Sequence, residues 1–145
     1  MPILTQIVAA AEEEIELLGE TTNLLAEWSG IQMRDVDTGK IVTLHCLLTG
    51  DLLDDADTLY EPVYISASES TLVLRFADEL LERLAGLDEE MLDDIAAELA
   101  ATEEFEATGW ESEVVIAMLG SLVDLARLAE SQGQAVFVCM HTLDT

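Results

Sequence analysis

The sequence predicts an α+β domain dominated by helices, with a small sheet that includes a buried strand near the C-terminus. Three observations predict it. The chain has 145 residues, half of them hydrophobic, and a mean hydropathy of +0.30. That is long enough for a real core and too apolar for disorder. Apolar residues recur at three- and four-residue spacing along most of the chain, the period of an amphipathic helix. Two short stretches, Glu61–Ser66 and Ala135–Met140, break that period and carry β-branched and aromatic residues instead. No linker or repeat divides the chain, so residues 1–145 are expected to form a single domain.

The elements follow in order. Pro2 to Gly30 is helical in pattern, with Ile3, Leu4, Ile7, Val8 and Ala11 at helix spacing, followed by Ile15, Leu18 and Leu25. Gly19 divides this stretch near Thr21-Thr22-Asn23, where Thr or Asn can cap a second short helix ending around Trp28. Ser29-Gly30 is a stop signal. Asp37 or Thr38 caps the next helix, with Ile41, Val42, Leu44, His45 and Leu48 inward and Thr49-Gly50 at its end. Asp51 to Leu59 reads as an acidic loop. Glu61–Ser66 is extended, and Pro62 suits its start or a sheet edge.

Ser68 or Ser70 caps a helix in which Leu72, Val73, Phe76, Leu80, Leu81 and Leu84 repeat. The β-branched and aromatic run Thr71 to Phe76 is equally compatible with a strand. Gly86 ends this element. Asp88 caps another helix, with Glu89 and Glu90 at its favourable dipole end and Met91, Leu92, Ile95 and Leu99 inward. Thr108-Gly109-Trp110 is a turn. Ser112 then caps a long helix over Glu113 to Ser131 that is apolar nearly all round, which places it in the middle of the domain or in an oligomer interface. Gln132-Gly133-Gln134 leads into the final strand.

The charge is as one-sided as the pattern is apolar. Five Lys and Arg stand against 31 Asp and Glu, for a net charge of −26. Direct binding to nucleic-acid backbones or anionic membranes is excluded by sign. Like charges stand four apart at Glu12 and Glu16, Glu89 and Asp93, and Glu90 and Asp94. Each such pair on a helix opposes folding by about 0.2–0.5 kcal/mol, so the arrangement answers to something other than stability. Two cysteines, Cys46 and Cys139, are too few for a disulfide scaffold. With no basic signal segment and no run of roughly 20 apolar residues, the expected compartment is a reducing cytoplasm.

Thr43-Leu44-His45-Cys46-Leu47-Leu48-Thr49-Gly50 resembles the His-x-Leu-Leu-Thr-Gly helix end of the YfbM-like family of bacterial proteins of unknown function. Pro62–Ser66 is similar to that family's extended segment, and the apolar helix, Gly133 turn and strand Ala135–Met140 are similar to its C-terminal end. The resemblance spans Asp35 to Thr142. Thr38, Gly39 and Ile41 depart from the family's usual Asp-Lys pair and Trp, and its opening strand motif is absent. The resemblance implies an α+β fold and a cytoplasmic bacterial protein, and no activity.

Few constellations carry chemistry. His45-Cys46 and Cys139-x-His141 have zinc-ligand types, yet adjacent helix positions diverge by about 100°. The loop from Asp51 to Asp57 has a calcium-loop composition, but Leu52 and Leu53 break its alternation and Pro62 stands where a closing Glu belongs. No metal, cofactor or catalytic set is expected. With 31 acids, a carboxylate near His45 carries almost no specificity for acid–base work.

The function expected is therefore a non-enzymatic acidic binding protein that neutralises a basic, toxin-like protein partner, as bacterial immunity or antitoxin-type inhibitors do. Its candidate contacts are Glu89, Glu90, Asp93, Asp94, Glu103, Glu104 and Glu106, with Trp110 as apolar anchor. Asp51, Asp54, Asp55 and Asp57 form a second candidate surface. The alternatives are an acidic or salt-adapted oligomeric domain, and a small enzyme using His45.

Overall fold

The computed structural model describes residues 3–20, 24–34, 36–66, 71–107 and 109–142. Strands β1 (Ile3–Ala10), β2 (Gly30–Arg34), β3 (Tyr64–Ile65), β4 (Thr71–Arg75) and β5 (Ala135–Thr142) form one sheet in the order β2-β1-β5-β4-β3. All its pairings are antiparallel. The helices are α1 (Ile15–Glu20), α2 (Thr38–Thr49), α3 (Leu53–Leu59), α4 (Asp78–Ala85), α5 (Glu89–Ala100), α6 (Glu103–Glu106) and α7 (Ser112–Gln132), with 3-10 turns at Glu12–Glu14 and Leu24–Ala26. The fold is α+β, as the sequence predicts.

The first expected helix is a strand. Ile3 to Ala10 is β1, held between β2 and β5, and it pairs with β5 from Ile3↔Thr142 to Ala10↔Ala135. A central strand covered on both faces needs a continuous apolar run. Such a run also matches a helical period, and only the partner strands separate the two. Helix begins after it, with the 3-10 turn at Glu12 and then α1. Ser29-Gly30 opens β2 rather than stopping a helix. The proposed caps at Thr21–Asn23, Ser68 and Ser70 lie outside the described residues.

Two further elements differ from expectation. Thr71–Arg75 takes the strand option, because β5 supplies a ladder from Thr71↔His141 to Arg75↔Phe137, and helix resumes only at Asp78. The acidic loop contains α3. Gly50, at φ 81°, ends α2, and Leu52 in an extended conformation starts the next helix. Asp54 and Asp55 in its first turn favour the positive dipole end.

Local signals that name their own partner behave as read. The Asp37 carboxylate accepts the Lys40 amide at 3.1 Å, and Asp88 accepts the Met91 amide at 2.8 Å. Gly86 ends α4 and Gly109 turns with φ 78°. Ser112 is not a cap: Glu111 holds that place and makes no side-chain cap bond.

The main core lies on one sheet face. There α7 buries Val115, Met118, Leu119, Leu122, Val123, Leu125, Ala126 and Ala129 against β1, β5, α4 and α5. Fully burying one such Leu or Val stabilises by about 1.5–3 kcal/mol. α2 and α4 close this core with Ile41, Leu44, Leu80 and Leu84. On the opposite face, Val8, Val73, Phe137 and Cys139 pack under Leu18, Leu24 and Trp28. A polar line crosses the end of that face: Gln6 Nε2 donates to Gln32 at 3.0 Å, and His141 meets Gln6 at 3.1 Å and Thr71 at 2.9 Å.

Candidate functional site

The carboxylates of α5 are placed by its core side. Ala96 and Leu99 are buried and Leu92 and Ile95 are half-buried, so Glu89, Glu90, Asp93 and Asp94 stand exposed on the remaining arc. Met91, expected inward, is 49% exposed. It lies on the α4 side of α5, where it lines a groove.

Two grooves border this helix. One, of about 420 Å³ between α5 and α7, has Asp88, Glu89 and Asp124 on its walls and Leu87, Leu92 and Val123 among its apolar lining. Arg127 also borders it, but its guanidinium is engaged with the Ala85 and Leu87 carbonyls at 3.0 and 2.7 Å, satisfying the end of α4. The other, of about 310 Å³ along α4 and α5, is lined by Leu48, Glu82, Arg83, Leu87, Met91 and Ile95. The remaining cations give these acids little relief. Arg75 bridges Glu12 and Asp78 at 2.8 and 3.0 Å, Arg83 stands 4.0 Å from Glu79, and Lys40 is 2% exposed.

α6 brings its expected acids to the surface. Glu103, Glu104 and Glu106 are exposed. Phe105 is buried, edge-on to Trp110 at 5.5 Å, with the Lys40 ammonium 5.9 Å from its ring centre. The Glu104 carboxylate folds over the first turn of α2, where a Cβ on Gly39 would meet it at 2.9 Å. Glu104 thus stays exposed while also bordering the α2–α6 contact. Trp110 is half-buried and lines a cleft of about 230 Å³ with Ile31, Met33, Val114 and Met118, on the β2 side of α7. The grooves beside α5 do not include it.

The second acidic patch is divided. Asp54, Asp55 and Asp57 are exposed on α3. Asp51 is bound inward, its carboxylate 2.7 Å from His45 Nε2. α3 packs on α2, whereas α5 packs on α2, α6 and α7, so the two patches are separate.

His45 is 0% exposed and engaged at both ring nitrogens. Nδ1 lies 2.8 Å from the Tyr60 hydroxyl. One assignment satisfies every group: the Ala77 amide donates to Tyr60 at 3.4 Å, Tyr60 donates to Nδ1, and Nε2–H donates to Asp51. Thr49 donates to the His45 carbonyl at 2.8 Å and accepts the Asp51 amide at 3.2 Å. The His-x-Leu-Leu-Thr-Gly segment is thus a hydrogen-bonded helix end that ties α2 to α3 and to the start of α4. Burial pushes the Tyr60 phenol well above its usual range. None of the clefts described here is lined by His45.

Both thiols are shifted toward their neutral form. Burial pushes Cys139 up to about 12, and Cys46 is raised by burial and then by the Asp51 charge. Burial lowers His141, and both its nitrogens are engaged by Thr71 and Gln6. Among the described residues no group of three His, Cys, Asp or Glu could hold a metal ion. None of their helices is long and apolar enough to cross a membrane.

No family model matches the chain, and no curated protein matches it in sequence. Its structure is similar to that of YfbM, a protein of unknown function from Escherichia coli, with 16% identity and a TM-score of 0.48 over 94% of this chain and 99% of that one.

Proposed function

We propose that this protein is a non-enzymatic acidic binding protein that occludes a basic protein partner, in the manner of an immunity or antitoxin-type inhibitor. The observation that carries the reading is the groove between α5 and α7. Asp88, Glu89 and Asp124 stand over an apolar lining of Leu87, Leu92 and Val123, beside the exposed row Glu90, Asp93 and Asp94. Lys and Arg are long apolar stems with a charged tip. A groove with an apolar lining and carboxylate walls matches both parts. The −26 charge steers such a partner in, and the desolvated groove contacts set the residence time.

The environment of the histidine and thiols supports a non-enzymatic reading. His45 is closed off between Tyr60 and Asp51, and both thiols are raised.

The test is a pull-down from the organism's own extract at low salt, with the wild-type protein and with Glu89→Gln/Glu90→Gln/Asp93→Asn/Asp94→Asn. A basic protein retained by the wild type, lost from the variant and released by salt supports the proposal. Retention of no basic protein, or retention indifferent to the variant, overturns it.

A further inference from the structure

The two edges of the sheet are treated differently. At one edge, β3 has two residues and follows Pro62, which has no amide to offer. Short strands and Pro are how natural sheets blunt an edge. At the other, β2 has five residues, and among the described residues nothing pairs with its outer side.

The register shows which groups are open. The Ala9 amide bonds the Ser29 carbonyl at 2.9 Å, and hydrogen-bonded pairs in an antiparallel ladder recur at every second residue. With Ile7 opposite Ile31 and Thr5 opposite Met33, Ile31 and Met33 direct their backbone groups to β1. Gly30, Gln32 and Arg34 turn theirs outward.

We propose that this edge is a self-association surface, on which two copies pair β2 to β2 antiparallel about Gln32 and join their sheets. The two-fold axis places Gln32 opposite Gln32 and Gly30 opposite Arg34, each in the outward-bonding phase, so every open donor meets an open acceptor.

Charge selects a second copy as the occupant. Two bodies of −26 meet most readily where carboxylates are missing, and Ser29–Arg34 contains none. Arg34 is exposed and has no ion-pair partner among the described residues. Pairing brings it to the Gly30 end of the other copy. There Glu27 lies three residues upstream of Gly30, exposed, between Leu24 and Trp28, which pack on the sheet face that Gln32 and Arg34 share.

A five-residue strand is too small a contact alone, because stable interfaces bury about 1,200–2,000 Å². The outer stripe of α7 beside β2 supplies the rest, with Val114 at 50% exposure, then Ala117, Ser121 and Leu128. The same axis runs the two α7 helices antiparallel, small residues facing.

The test is light-scattering mass against concentration and salt. The expected species has twice the 15.8 kDa chain mass. Its dissociation constant falls as salt rises, because screening removes like-charge repulsion. That is the opposite of the salt response expected for the basic partner, so failure of one proposal is distinguishable from failure of the other. Gln32→Pro removes an outward amide without touching the β1 ladder and is expected to give monomer. Should that variant unfold by circular dichroism, Arg34→Glu decides, since it alters one exposed side chain; its dissociation constant rises about tenfold or more. A wild-type monomer at high concentration in molar salt overturns the proposal. So does a dimer that is indifferent to Arg34→Glu, or one that persists in a folded Gln32→Pro.

Discussion

Replacing Tyr60 by Phe removes one oxygen from a closed ring of hydrogen bonds. The His45 ring, 0% exposed, loses the 2.8 Å bond at Nδ1 and no water can replace it. The Ala77 amide also loses an acceptor, but that bond is already long at 3.4 Å. The loss is therefore dominated by one buried, unsatisfied nitrogen, about 1–3 kcal/mol. Removing the other partner by His45→Leu strands the Tyr60 hydroxyl instead, while Asp51, with its side chain 36% exposed, turns to solvent. The double variant leaves neither orphan. The two losses overlap, and their sum exceeds the double-variant loss by about 0.5–3 kcal/mol. The assay is urea unfolding followed by far-UV circular dichroism, with the slope compared across variants to check that the transition is unchanged. Tyr60→Phe at wild-type stability, or additivity within about 0.3 kcal/mol, refutes the reading of this segment as a structural staple.

Gly19→Ala places a Cβ into the Tyr64 ring, so it is expected to destabilise by about 1–3 kcal/mol in the same unfolding assay. His141 binds its proton less readily when folded, so its contribution to stability is full above its ordinary value of 6.5 and is lost as pH falls from there toward the lowered folded value. His141→Gln is expected to flatten stability against pH across that window relative to wild type, and an unchanged slope contradicts it. Cys139, pushed up to about 12, is expected to resist a thiol reagent in the native protein and to react at once in denaturant, as quantified by absorbance of the released chromophore. Neutralising Asp93 and Asp94, which lie beyond the first turn of α5, relieves their repulsion with Glu89 and Glu90 and is expected to raise stability by about 0.2–0.5 kcal/mol for each pair removed, while weakening capture of the basic partner. A loss of stability in melting experiments would show that these acids serve the fold.

Turns and helix ends were legible in the sequence because their chemistry is local. Asp37, Gly50, Gly86, Asp88 and Gly109 each act within a few residues of themselves, and all behave as read. The C-terminal strand was legible as well, since Ala135–Met140 has β-rich composition at strand length and a glycine, Gly133 at φ 67°, before it. The acids of α5 were legible as an exposed row because Leu92, Ala96 and Leu99 claim the opposite arc. The approach of Glu104 to α2 was not. Its exposed carboxylate lies beside Gly39, more than sixty positions earlier in the chain.

The sequence by itself determined the helix-rich α+β class, the sign and excess of the surface charge, and the Asp37 and Asp88 caps. Each of these depends on composition or on neighbours along the chain. Only the tertiary structure decided that Ile3–Ala10 is an interior strand and that His45 closes onto Tyr60 and Asp51. It alone set Asp88, Glu89 and Asp124 around one groove and, among the described residues, left the outer side of β2 open. The physical reason is that an apolar run is equally content in any dry surrounding, and a carboxylate in any wet one. Which surrounding each receives is set by segments distant in sequence, through ladders and packing that no local pattern encodes.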